Sequence, residues 1–319
     1  MSPVLLAPAS FCRVHEAPFY SHVPGQSILG LRFYVNTRRE FPPPFHRKRK
    51  AYQRVLTVGG NGRRDTANFS MTGAASNTRH QHVAFSGGGI YFFWQLGVAK
   101  FLGEEYDTTR IAFSGTSCGA LCATLTACGV DPYLTVQTAY RLSLDNDLWN
   151  RPLGLAGIWG RLILEWLQDL LPEDAGAVCR SRVQIVVTEL PNLRQTAVHD
   201  FHDKEDLIAV NMASIHVPVF LDWRLTASCR GKRCVDGSLP NLVLKRRGEA
   251  AEDFPVDDEC IYIDHSLDER LELESFGFLK LREYEEVLHM MDLGYSFAQR
   301  LESAGVFDDL PIKKPVDTI

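Results

Sequence analysis

The chain has 319 residues, 45% hydrophobic and 23% charged, which suits one large domain or two small ones and excludes collagen-like, coiled-coil and wholly disordered readings. No apolar run approaches the roughly 18–20 residues of a membrane-spanning helix, so any lipid contact is expected to be peripheral. The net charge of −5 divides into a basic first quarter and an acidic body, and a body without clustered cations disfavours nucleic acid as its partner.

Residues 1–80 hold 12 Lys and Arg against 3 Asp and Glu. Phe41-Pro42-Pro43-Pro44 is followed there by Arg47-Lys48-Arg49-Lys50 and by Gly59-Gly60-Asn61-Gly62, with no sustained periodicity. This reads as a disordered basic extension, a transit peptide or a segment bearing a nuclear signal, three alternatives the composition leaves open.

From residue 81 the texture changes. His82 to Ser86 is a short strand ending in three glycines, and Ile90 to Leu102 a buried helix containing Gly97. Ile111 to Ser114 is a second strand, followed by Gly115-Thr116-Ser117-Cys118-Gly119 and a helix from Ala120 to Cys128. Leu155 to Leu171 carries a broad apolar face that includes Trp159 and Trp166. An ordinary core-facing helix is the commoner source of such a stripe, and an interfacial lid that docks on lipid the sharper one. Val183 to Thr188 is a third strand, Asp203 caps a helix with Asp206 at its third position, and residues 260–263 form a further strand. Residues 281–301 again show helical spacing. Strands alternating with helices predict an α/β domain over 81–319, a three-layer sandwich with a mostly parallel sheet.

The eight cysteines include no Cys-x-x-Cys pair, so neither a thiolate metal site nor a secreted disulfide scaffold is expected, and a reducing compartment fits better. Cys118 lies in apolar surroundings, which argue against an activated thiol.

Three segments carry chemistry. Gly115 to Gly119 is a G-x-S-x-G between strand and helix, a sharp turn that exposes the Ser117 hydroxyl at the positive end of the following helix. Ser86-Gly87-Gly88-Gly89, also at a strand–helix junction, offers successive amides that suit an oxyanion. Phe92 rules out a dinucleotide fingerprint there, and the Gly-Lys-Ser/Thr of a Walker loop is absent. Asp236-Gly237 would by itself be read as a turn.

Together, in this order, the three resemble the patatin-like acyl hydrolases. Gly97-Val98-Ala99 and the segment from Ala209 to Phe220 resemble the adiponutrin and adipose triacylglycerol lipase branch, and the likeness runs from about residue 82 to about 300. The resemblance implies a Ser–Asp dyad of Ser117 and Asp236 and an oxyanion hole from the amides of Gly87, Gly88 and Gly89, with Cys118 contributing. Gly115, Gly119 and Gly237 are then motif glycines. No metal or cofactor is implied. The implied substrate is a glycerolipid, triacylglycerol or phospholipid, met at a membrane or lipid-droplet surface inside the cell. Two positions depart from the pattern. Tyr91 stands where many members have Lys or Arg, and Ser238 stands where Gly or Ala is usual, a small change expected to perturb little. A non-catalytic lipid-binding relative is the rival reading. So is an α/β-hydrolase triad completed by one of the downstream histidines 199, 202, 216, 265 and 289. Of these the chain order allows His265 or His289, although His289 sits in an amphipathic helix and His265 beside a strand end, which suit structural roles.

Overall fold

The computed structural model describes residues 82–240, 260–271 and 281–313. The basic segment 1–80 and its targeting alternatives lie outside them. Strand β1 (His82–Phe85) is buried at every position. An apolar run buried on both faces belongs to the interior of a covered parallel sheet. β2 (Ala112–Thr116) pairs parallel with β1, β3 (Val183–Glu189) parallel with β2, and β7 (Ile261–Ile263) parallel with β1 on its other side. Beyond β3 the pairing turns antiparallel. β4 (Arg194–Val198) and β6 (Lys232–Val235) both pair with β3, and β5 (Ala227–Cys229) pairs with β6. The result is the expected α/β fold with a mixed seven-stranded sheet, parallel through its centre.

The crossover from β1 to β2 contains α1 (Phe92–Glu105). The longer one from β2 to β3 contains α2 (Cys118–Ala127), α3 (Pro132–Asp145), α4 (Trp159–Leu170) and α5 (Ala175–Cys179). α6 (Lys204–Ser214) follows β4, and α7 (Tyr284–Ser303) follows β7. Asp203 caps α6 as expected, its side chain accepting from the amide of Asp206. Helix α3 was not foreseen. Its signals are local: Asp131 accepts from the Leu134 amide, and Pro132 occupies the first turn.

Helices α1 and α7 lie against each other through two glycines. A Cβ on Gly97 would stand 1.9 Å from the Met291 carbonyl oxygen, and one on Gly294 would stand 1.8 Å from that of Trp94. Only residues without a side chain let two backbones approach this closely. The buried carboxylate of Asp268 seals the contact, accepting from Trp94 Nε1 at 2.9 Å and from the Arg300 guanidinium at 2.7 Å.

Register brings the chemistry to one edge. Phe85 lies opposite both Gly115 and Ile263, so the loops after β1, β2 and β7 leave the sheet side by side at the carboxyl ends of their strands. That edge is where open α/β sheets place their ligand sites. Val235 pairs with Thr188, which returns the chain from β6 across β3 toward the same place.

Candidate active site

Ser117 closes β2 and opens α2 with a backbone of φ 53° and ψ −128°, a conformation that costs an L residue energy. Its surroundings enforce that conformation. A Cβ at Gly119 would stand 2.2 Å from the Phe85 carbonyl oxygen, so the start of α2 can nest against the end of β1 only if that position is bare. The Ser117 amide donates to Ser214 Oγ at 2.9 Å, and the Ser214 hydroxyl donates onward to the Val186 carbonyl at 2.7 Å. One fully buried serine after β4 thus ties the elbow to β3.

Asp236 is reached by a different route. Its amide donates to the His216 carbonyl and the Gly237 amide to the Ser214 carbonyl, while Thr188 Oγ1 donates to the Asp236 carbonyl at 2.9 Å. Gln195 Nε2 fixes the Gly237 carbonyl at 2.7 Å. With its main chain held from four directions, the carboxylate meets the elbow. Ser117 Oγ donates to Asp236 Oδ2 at 2.6 Å, and both residues are buried. Burial raises the Asp236 pKa above the usual carboxylate range. Hydrogen bonds from the Ser117 hydroxyl and from the Ser238 hydroxyl and amide oppose the rise, and so does nearby His216.

The glycine loop lies over this pair. Gln95 Nε2 braces it by donating to the Ser86 carbonyl at 2.6 Å, and a Cβ on Gly87 would touch the Ser117 Cβ at 3.4 Å. Gly87, Gly88 and Gly89 all line the same cavity as Ser117, Cys118 and Asp236. Burial pushes the Cys118 thiol up to about 12, with Asp236 adding to the effect and the amides of Gly88, Gly89 and Gly119 opposing it. At neutral pH it is an uncharged thiol, in line with the expectation from its sequence context.

His265 lines the same cavity without joining the pair. His265 stacks on Tyr91 with ring centroids 4.4 Å apart, and its Nδ1 lies 3.4 Å from Ser86 Oγ and 3.5 Å from Asp264 Oδ1. His289 lies exposed on α7. The hydrogen bond between Ser117 and Asp236 is direct, and neither imidazole completes it. Tyr91 is thus the ring on which His265 rests.

The cavity over Ser117 has a volume of about 480 Å³, and its walls are mostly apolar, with Ile90, Phe92, Leu142, Leu155, Trp159 and Leu221 among them. A polar serine at the edge of a greasy chamber can present a hydroxyl to the carbonyl of a molecule whose long apolar part fills the rest. Trp166 is buried and donates to the Thr135 carbonyl at 3.0 Å, while Trp159 is half-buried against Phe220. Helix α4 is therefore the core-facing helix of the plainer reading. Trp223 is the tryptophan that meets solvent, packed over Gly157. Among the described residues, no group of three or more His, Cys, Asp or Glu side chains could hold a metal ion.

Sequence reasoning gave Ser214 no role, although it lies in the Ala213-Ser214 pair of a segment already singled out. It expected Ser238 to perturb little, yet the Ser238 hydroxyl donates to Asp236 Oδ1 at 2.6 Å. The Ser238 contact needs the spatial return of β6 across β3, and the Ser214 contact needs α6 to meet the ends of β2 and β3.

A parallel-centred α/β sheet with a serine elbow, a glycine loop and an aspartate hydrogen-bonded to the serine defines the class of fold to which patatins belong. The family model for patatin-like phospholipase matches residues 83–244, half of the chain, and the chain belongs to that family. The human omega-hydroxyceramide transacylase is 29% identical over 165 residues, which cover 50% of this chain and 31% of that protein. Human patatin-like phospholipase domain-containing protein 2 is 28% identical over 166 residues, 50% of this chain and 32% of its own length. The mouse 1-acylglycerol-3-phosphate O-acyltransferase Pnpla3 is 25% identical over 171 residues, 52% of this chain and 41% of its own. The matched region thus spans well under half of each of these relatives. A solved structure of VipD from Legionella pneumophila superposes over 71% of this chain and 67% of that one at 12% identity and a TM-score of 0.32, too loosely to bear on the site.

Proposed function

We propose that this chain is a lipid acyl hydrolase that cleaves carboxylic esters of glycerolipids through a serine acyl-enzyme. The observation that carries the proposal is the 2.6 Å hydrogen bond from Ser117 Oγ to Asp236 Oδ2 at the edge of an apolar cavity. Ser117 Oγ attacks the ester carbonyl while Asp236 takes its proton. Amides of Gly87, Gly88 and Gly89, with that of Cys118, receive the developing oxyanion; one such donor is worth about 3 kcal/mol in comparable enzymes. The proton held by Asp236 passes to the departing alcohol or lysolipid. Water then attacks the acyl-enzyme, giving its proton to Asp236, and the fatty acid leaves as Ser117 recovers that proton.

An alcohol can replace water in the second half, which makes the same site a transacylase. The transacylase and acyltransferase names of the human and mouse relatives favour keeping this second reading. The substrate's insolubility implies work at a lipid surface, a reading supported by the exposed apolar side chains of Leu153, Trp223 and Leu225. Among the described residues no helix is long and apolar enough to cross a membrane, so that contact is proposed as peripheral.

A fluorophosphonate probe tests the nucleophile. Wild-type protein is expected to be labelled and Ser117→Ala not, with fatty-acid release from mixed glycerolipids falling by a factor of about a thousand or more in the variant. Release that persists in Ser117→Ala would sink the proposal, and binding without any Ser117-dependent release would favour the non-catalytic alternative.

A further inference from the structure

We propose that Ser238 is a positioning residue for the reaction, holding one oxygen of Asp236 so that the other is aimed at Ser117. The inference rests on the reading of Ser117 and Asp236 as nucleophile and base. Both donors of Ser238 converge on Asp236 Oδ1, the hydroxyl at 2.6 Å and the main-chain amide at 2.8 Å. Oδ2 is thereby left to Ser117 alone. Two bonds to one oxygen fix the rotation of the carboxylate about its own axis, which a single bond cannot do. The Ser238 side chain also lies under the glycine loop: a Cβ on Gly87 would stand 2.7 Å from Ser238 Oγ. One hydroxyl therefore touches the base and the loop that faces the oxyanion. Gly or Ala at this position, as in the pattern this chain resembles, supplies the amide but no hydroxyl.

The hydroxyl has a second consequence. Asp236 must be ionised to accept a proton, and burial resists that. The titratable groups facing it are His216, from the segment after α6, and the Cys118 thiol of α2. β3 meets the turn with the hydroxyl of Thr188, and the glycine loop meets it with Gly87. His216 acts on Asp236 through its charge, whereas Ser238 is hydrogen-bonded to the carboxylate oxygen itself.

The test compares wild type, Ser238→Ala, Ser238→Gly and Ser238→Thr on p-nitrophenyl butyrate across the acidic range, with Ser117→Ala and Asp236→Asn alongside. Removing one hydrogen bond to a charged oxygen is expected to move the acidic limb of kcat/KM upward by about one pH unit in the Ala and Gly variants, with the Thr variant staying near wild type. KM is expected to stay within about twofold, because the hydroxyl helps the base and not the bound acyl chain. A second readout needs no turnover. Because its pKa is raised in the folded state, Asp236 contributes stability in acid that is lost as pH rises through that pKa. Ser238→Ala raises the folded pKa further, so its melting midpoint should fall below wild type increasingly as pH rises, and adding Asp236→Asn should abolish that trend. An unmoved limb and a parallel melting profile in Ser238→Ala and Ser238→Gly, with Ser117→Ala inactive, would overturn the inference alone. Hydrolysis that survives Ser117→Ala would overturn the underlying reading instead.

Discussion

The elbow around Ser117 and the turn around Asp236 meet at one hydrogen bond but are built by opposite means. The elbow is held mainly by backbone: a bare Gly119 lets two main chains nest, and the strained Ser117 has no choice of conformation. The turn is held mainly by side chains, with Thr188, Gln195 and Ser238 each donating to it from a different position along the chain. Under the proposed mechanism, the nucleophile's place is fixed sterically while the base's place and charge are tuned by removable hydroxyls.

The contrast is broken most severely at the charge itself. Asp236→Asn keeps the shape and most of the hydrogen bonds, so it should fold, yet turnover should fall by a factor of about a thousand or more. Because burial penalises the carboxylate, its melting midpoint near neutral pH should match or exceed that of wild type. The gain should fade as pH falls and the wild-type aspartate takes up its proton. A large loss of stability at neutral pH would mean that the carboxylate is better satisfied than its surroundings indicate.

A gentler comparison removes one hydroxyl from each half. Ser214→Ala strands a buried Ser117 amide and a Val186 carbonyl together, whereas Thr188→Val takes one donor from the Asp236 carbonyl. A buried group left unpaired costs about 1–3 kcal/mol, so denaturant melts should rank Ser214→Ala as the more damaging. Equal losses would say that the two halves share one network. The smallest effect is expected from Trp159→Ala, which opens the cavity wall away from the reacting pair. Hydrolysis of a four-carbon ester should change less than threefold, while long-chain esters should lose more.

The same contrast explains what the sequence could reveal. Gly115 to Gly119 is a contiguous signature because steric demands act between near neighbours, and β1, β2, β3 and α6 were legible because their signals are short in range. The antiparallel strands β4, β5 and β6 were not foreseen: they are short and lie toward the edge of the sheet, where polar residues interrupt the alternation. The nucleophile candidate could be read from its pentapeptide. The role of Ser214 could not, since it depends on α6 meeting the ends of β2 and β3, nor could that of Ser238, which depends on β6 folding back over β3 and was expected to matter little.

The paired glycines of α1 and α7 bear on how the protein can be dissected. The family match ends at residue 244, well before α7 begins, yet α7 covers the helix that leads out of the glycine loop. A recombinant fragment trimmed at the family boundary would lay bare Trp94 and Phe101 and leave the loop's supporting helix without its cover. Such a fragment should aggregate on expression, and the unit for crystallisation or screening must retain the chain through Lys313, because Phe307 is buried against Phe101 and Tyr106 and the Asp107 amide donates to the Pro311 carbonyl.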